Sequence, residues 1–573
     1  MSKHLSALLP GLLVALCSLA HTRPGAADIM PPGRRTAWNP GIPGGIPART
    51  TLCANLSASS YGNGTLDATA GIQAAIDACP AGQVVQLSAG DFKVGGSTEI
   101  VIDKSVTLRG AGPTRTFLRK STNSTNAIIQ IGEPWMPSEA ASTNLTANAA
   151  KGATSVQVAS ASGFGAGQLA VLTILTDTSY VTWGSNVEVQ PGGVGRGWFT
   201  RYDRPVGQML EIASVNGNTV SFTTPLHIAF DTAHTAQLTR YGVQATKYAG
   251  LEDLYVRGGQ NNNITMRYAM YSWAKNIESD WSLGESIGMN ACFRCVVRDS
   301  YVHDTPEPSP GGRGYMLSFA WYTADSLVEN NIFMNANKVM VMRASGGGNV
   351  IGYNYFDNGY IDYDLGWMET GINASHMTCP HFELFEGNQA FNADGDNTWG
   401  GAVDITFFRN HLIGKRRAFS DLSNRRAIGL MPGHYDYSFV GNVLGTADQD
   451  PAPSGGFAYE DFHPWSDDPV AMWRLGYNPE DWDAPAEARV VSSIHRHANF
   501  DYVTNSVQWA TGFDQALPSS LYLTSKPAFF GSRTWPWVNP TGTSKLYTLP
   551  ARARFDAGTP SPGGDTIFGD GFQ

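Results

Sequence analysis

Short apolar runs broken by asparagine fill the second half of the chain. Val328-Glu329-Asn330-Asn331-Ile332-Phe333 is followed by Ile351-Gly352-Tyr353-Asn354-Tyr355-Phe356, Phe385-Glu386-Gly387-Asn388, Phe408-Arg409-Asn410-His411-Leu412 and Phe439-Val440-Gly441-Asn442-Val443-Leu444. Asn331, Asn354, Asn388, Asn410 and Asn442 step by 23, 34, 22 and 32 residues. A period of about 22 residues with insertions matches one coil of a parallel β-helix. The pattern predicts that these asparagines stack one per coil, each in a left-handed bend with its amide bonded along the stack. Fainter copies lie at residues 277–282 and 297–302, and the repeat stops near Asp448.

Upstream, Gly71-Ile72-Gln73-Ala74-Ala75-Ile76-Asp77-Ala78-Cys79 puts Ile72, Ala75, Ile76 and Cys79 on one helical face. Val84-Val85-Gln86-Leu87 reads as a strand, Gly90-Asp91-Phe92 as a turn, and Ser105-Val106-Thr107-Leu108-Arg109-Gly110 as a strand entering a turn. A short amphipathic helix at this place covers the open end of a strand stack. The words Gly71-Ile72-Gln73-Ala74-Ala75-Ile76-Asp77 and Val106-Thr107-Leu108-Arg109-Gly110-Ala111-Gly112 resemble the N-terminal cap of the pectate-lyase-like, polygalacturonase-related β-helix superfamily. The resemblance implies an all-β, right-handed parallel β-helix with a helical cap, and a protein that cuts polysaccharide.

The expected organisation is an export signal over 1–27, cap and first coils over 51–133, a β-rich insertion over 134–241, a β-helix core with the active coils over 242–450, a C-terminal capping segment over 451–550, and a tail over 551–573. The insertion rests on strand-like Val156-Gln157-Val158 and Ala170-Val171-Leu172 and on Asn216-Gly217, a hairpin signal between two apolar runs. The tail, from Gly563 to Gln573, resembles a short segment of some exported bacterial proteins and is read as a sorting signal.

Charge and cysteine usage narrow the function classes. The net charge is -10, without the basic excess of a nucleic-acid binder. Lys3 and His4 precede an apolar run over 5–19, with small residues at Ser18, Ala20, Ala26 and Ala27, as an export signal requires. No later stretch is long and apolar enough to span a bilayer. A soluble, secreted bacterial monomer is expected. Export permits disulfides, and Cys53 with Cys79 is the favoured pair, fastening the cap. Cys292-x-x-Cys295 has no matching second pair for zinc and reads as a local disulfide or two core thiols.

Candidate chemistry follows from counting along each coil from its asparagine. One stripe then runs through Lys338, Asp362 with Asp364, Asp394 with Asp396, and Lys415 with Arg417. Carboxyls on adjacent coils suit glycoside hydrolysis, in which one donates a proton and the other activates water or attacks carbon. On this reading Asp362, Asp364, Asp396, Glu369 and His376 are catalytic, while Lys338 and Arg343 bind substrate. Tyr360, Tyr363, Trp367 and Trp399 offer rings on which a sugar can stack. Polygalacturonases likewise place acids on neighbouring coils, though their words Asn-Thr-Asp, Asp-Asp and Gly-His-Gly do not occur intact here. The second reading is β-elimination on a uronic-acid polymer, with Arg343 and Lys338 as base and clamp and Asp362, Asp364 and Asp396 holding Ca²⁺. The third is carbohydrate binding without catalysis, since tailspikes and adhesins use this scaffold too. Hydrolysis, with no cofactor, is the first expectation.

Overall fold

The computed structural model describes residues 28–95, 99–120, 127–175, 203–363, 370–419, 426–448, 457–461, 470–477 and 485–558. The segments expected to be an export signal and a sorting tail, and site candidates Asp364, Trp367 and Glu369, lie outside them.

The chain is a right-handed parallel β-helix. Each full coil contributes three strands, as in Leu327–Glu329, Ile332–Ala336 and Met340–Arg343, before Val350–Gly352 begins the next. Stacked first strands form ladder 1, from Leu52–Leu56 to His495–His497. Stacked second strands form ladder 2, from Gly90–Val94 to Asn499–Asp501. The third strands form a separate sheet from Ile100–Ile102 to Phe457–Asp461, 11-stranded among the described residues. Gly90-Asp91-Phe92 is therefore not a turn. It opens ladder 2, paired with Thr116–Lys120.

Inside the coils, like side chains stack on like. The rings of Phe385, Phe407 and Phe439 sit face to face at 4.7 and 4.8 Å. At the bend between ladders 1 and 2 the asparagines form a column. The backbone N–H and Nδ2 of Asn331, Asn354, Asn388, Asn410 and Asn442 each donate to Oδ1 of the next asparagine at 2.8 to 3.1 Å. The second Nδ2 hydrogen of each reaches a ladder 1 carbonyl, as Asn388 does to Ile351 at 2.8 Å. Two details differ from the sequence reading. The column does not stop at Asp448, because Asn442 donates onward to Asn499. Nor are the stacked asparagines left-handed: the residue before each one is, at Asn330, Tyr353, Gly387, Arg409, Gly441 and Ala498, with φ between 52° and 68°.

The helix Thr69–Ala78 covers the first coil, with Ile72 and Ile76 fully buried. Its Gln73 satisfies the open sheet edge directly: Oε1 accepts from the Val101 N–H at 2.8 Å and Nε2 donates to the Val101 carbonyl at 3.1 Å. Cys53 and Cys79 are joined in a disulfide beside it, Cα atoms 5.5 Å apart. Cys292 and Cys295 are buried free thiols. Within 134–241, six strands make an antiparallel sheet, including the hairpin Val206–Asn216 and Thr219–Phe222. It packs through Leu169, Val171, Met209 and Tyr241 onto Tyr268, Met270, Phe293 and Tyr322.

Both ends of the described chain are laid along the outside. Residues 28–50 run the length of the helix from its last coil to its first: His495 Nε2 donates to the Ile29 carbonyl, Trp38 to Phe382, Arg294 to Gly41, and Arg49 to Thr107 Oγ1, at 2.9 to 3.0 Å. Ile29, Met30 and Trp38 cover Val350, Leu384, Phe408 and Val440 on ladder 1. At the other end, residues 517–556 do more than close the last coil. They fold back over ladder 2, packing Phe530, Trp537, Leu549 and Ala551 on Ile332, Tyr355 and Val443. The two ladders are thus clad by apolar segments, and the polar outer face belongs to the third sheet.

Candidate active site

Because strand side chains alternate, every second residue of the third sheet points outward, and rungs stand about 4.8 Å apart. Gly288, Ser318, Val341, Asn373, Asp394 and Gly429 lie on one outward row by strand register. Over this row lie longer side chains from the strand ends. Asn262 bonds Thr265 Oγ1 and Glu285. Glu285 lies over Gly288, where a Cβ would stand 2.2 Å from its Oε2. Arg343 reaches back across Ser318 to ion-pair with Glu285.

At the centre is Asp396. Its carboxylate accepts from His376 Nδ1 at 2.8 and 2.9 Å, from Asn373 Nδ2 at 2.5 Å and from the Thr398 N–H at 3.2 Å, and faces Lys338 Nζ at 3.6 Å. Burial alone would push this carboxyl up, but the charges of His376 and Lys338 and the bonds from His376 and Asn373 hold it well below the usual carboxylate range. Lys338 also donates to Thr370 Oγ1 at 3.2 Å. In the neutral ring, a proton on Nδ1 leaves Nε2 of His376 as the basic nitrogen, and it faces the Tyr315 hydroxyl at 3.4 Å. Tyr315 stands beside Lys338 through a parallel bridge. All four keep a narrow opening to solvent, with 8% of the Lys338 side chain and 11% of His376 exposed. Two residues before Asp396 on the same coil, Asp394 is locked by Arg426 at 2.7 Å. Gly395 leaves room for the ring of His434, whose Cδ2 lies 2.4 Å from where a Cβ would be.

Of the sequence candidates, the structure joins Lys338, His376 and Asp396, with Arg343 on the same face. Trp399 is close by, half-buried on Ala344 and Met377, its carbonyl accepting from Thr378. It does not bring Asp362 to them. That residue is exposed on the corner after ladder 2, its N–H bonded to Pro308, and among the described residues no hydrogen bond or ion pair links it to Asp396. Tyr360 packs on Phe419 at 5.3 Å and Tyr363 is 71% exposed, both on that corner. Lys415 pairs with Asp448, and the Arg417 guanidinium lies over Phe555. The stripe fails because the corner into the third sheet varies in length: Met340 follows Asn331 by 9 residues, Ile372 follows Asn354 by 18, and Ala393 follows Asn388 by 5. Equal offsets from the asparagines therefore reach different sides of the coil. Counting from the third strands instead would have found Tyr315, Asn373 and Glu285, which the sequence reading missed. Among the described residues no group of three His, Cys, Asp or Glu side chains is arranged to hold a metal ion. The proposed Ca²⁺ set of Asp362, Asp364 and Asp396 is thus not assembled by its two described members.

No protein-family model and no curated protein matches the sequence. Solved structures match at low identity. The tailspike protein gp49 of Pseudomonas phage LKA1 is 15% identical over 67% of this chain and 58% of its own, with a TM-score of 0.44. The tailspike gp61 of Pseudomonas phage phi297 is 13% identical over 68% and 60%, with a TM-score of 0.47. The A-module of the mannuronan C-5 epimerase AlgE4 of Azotobacter vinelandii is 14% identical over 74% and 91%, with a TM-score of 0.37. The chain therefore spans less than two thirds of the length of these tailspikes.

Proposed function

We propose that this protein is an exported, monomeric carbohydrate-active enzyme that cleaves an acidic polysaccharide by β-elimination. The observation that carries the reading is the ionised Asp396 held between His376 and Lys338, with His376 Nε2 turned to the Tyr315 hydroxyl. A buried carboxylate that fixes a histidine through Nδ1 makes the other nitrogen an oriented base. Arg343, paired with Glu285 on the same face, supplies the charge that neutralises a uronate carboxylate and acidifies the proton beside it. His376 takes that proton, the electron pair forms the ring double bond, the glycosidic C–O bond breaks, and Tyr315 protonates the leaving oxygen. Hydrolysis needs a carboxyl kept protonated for the leaving group. Asp396, Asp394 and Glu285 are each paired with a cation instead.

The test is turnover of purified protein on a panel of acidic and neutral polysaccharides, reading new reducing ends and the ultraviolet absorbance of the unsaturated product together. Both signals on an acidic polymer are expected. Reducing ends without absorbance would overturn elimination in favour of hydrolysis, and neither signal alongside tight binding would favour a recognition protein.

A further inference from the structure

We propose that Arg267 forms a second carboxylate subsite, so that the groove reads a run of uronate sugars and not a single one. The inference rests on the acidic-substrate reading above and extends it to residues outside the reacting centre. Arg267 and Arg343 end the strands Ile264–Arg267 and Met340–Arg343 of the third sheet. Strand register places Arg267 beside Asn290 and Asn290 beside Ala320, while the pairs Ser318 with Val341 and Phe319 with Met342 set Ala320 beside Arg343. The two arginines therefore rise from one column, their backbones three rungs or about 14 Å apart, and the Arg343 guanidinium reaches back towards Arg267 to meet Glu285.

Each arginine carries a buried Nε–H with no acceptor among the described residues. A buried donor left open costs free energy unless a ligand completes it. Arg267 is anchored by Nη1 on the Pro134 carbonyl, and its guanidinium lies 5.8 Å from the Trp321 ring centre, so its planar fork is held in place. Glu99 and Glu285 act on it through space, but among the described residues neither comes within ion-pair distance. Asn290 and Ala320 fill the column between the two arginines with short neutral side chains, so no charge stands between them in that column. Two cations held on one face suit a polymer whose carboxylates recur along the chain. A chain with one uronate per neutral repeat, or with esterified carboxyls, would satisfy only one of them.

The experiment is calorimetric binding of oligogalacturonate and oligomannuronate ladders, and of their carboxyl-reduced neutral counterparts, to the full chain. Affinity for the acidic oligomers should rise with length until both arginines are spanned, and neutral oligomers should bind weakly. Arg267→Gln should weaken binding of the long acidic oligomers about tenfold and remove the dependence on length. Asn290→Asp, which keeps both arginines and adds a negative charge between them, should produce a similar loss, and a thermal melt of each variant separates lost binding from lost folding. If both variants are folded and bind long acidic oligomers as the parent does, the second subsite is refuted while the acidic reading stands. If the parent prefers the neutral oligomers, both fall. Binding that depends on Arg267 without unsaturated product would keep the subsite and refute the elimination chemistry.

Discussion

At the scale of single residues, charge pairing in a dry groove governs what can be changed. Asp396→Asn keeps the shape but removes the charge that orients His376, so turnover should fall about a thousandfold. It also strands Lys338 beside a neutral partner, which costs stability in a buried site. Combining Asp396→Asn with Lys338→Met should therefore recover part of the lost melting temperature without recovering activity, a separation that thermal melts and rate measurements together would read. Away from the groove, Glu383 is wholly buried at the corner entering ladder 1, accepting from the Asn349 N–H at 3.0 Å and its Nδ2 at 3.1 Å. Burial outweighs these bonds and pushes its carboxyl up to about 8. The same cause lifts Glu386 to about 7, and burial together with Asp436 lifts Asp404 to about 7. Unfolded, such groups ionise at about 4. The folded state therefore keeps protons that the unfolded state sheds, and stability is greatest below about pH 4 for these groups and is lost as pH rises through 7 to 8. Melting temperature should fall with pH across that window, and Glu383→Gln should flatten the profile; an unchanged profile would remove Glu383 from this account.

At the scale of elements, the asparagine column is the feature on which coil follows coil. Each amide uses both hydrogens and its oxygen, so Asn388→Ala takes away the acceptor of the Asn354 N–H and of one Asn354 Nδ2 hydrogen, and the donor that reaches the Ile351 carbonyl. A loss of about 3 kcal/mol is expected in urea unfolding, since each orphaned buried group costs about 1 kcal/mol or more. The bend before the column supplies a change of opposite sign. Ala498 is buried with φ 57°, a conformation glycine adopts without a Cβ penalty. Ala498→Gly should stabilise the chain by about 1 kcal/mol by the same measurement. The column was legible in sequence because asparagine, apolar neighbours and spacing all repeat. It was lost past Asp448 because the coil that brings Asn499 under Asn442 is 57 residues long. The site was legible in part, through His376 and Asp396, 20 residues apart, and through Lys338, which the count from the asparagines placed beside them. Tyr315, 61 residues from His376, meets it only through strand register, which the variable corners hide from a count along the chain.

At the scale of the whole molecule, the two clad ladders leave one face for the proposed chemistry. Removing residues 28–50 would bare Val350, Leu384, Phe408 and Val440 on ladder 1. An exposed apolar strip of this kind promotes association, so the truncated chain should elute as oligomer or aggregate in size exclusion with light scattering, where a stable monomer would show that the arm is dispensable. The arm has a further consequence, in the order of events. A bare stack of coils has contacts only between neighbours, so it can grow and fray like a zipper from either end. Here Ile29 is held by His495, 466 residues later, so the earliest part of the chain has no complete seat until the last coil exists. The arm turns an open zipper into a latched one. Pulled from its C-terminal end, the protein should not peel coil by coil but resist until the latch gives, then unravel through many coils at once.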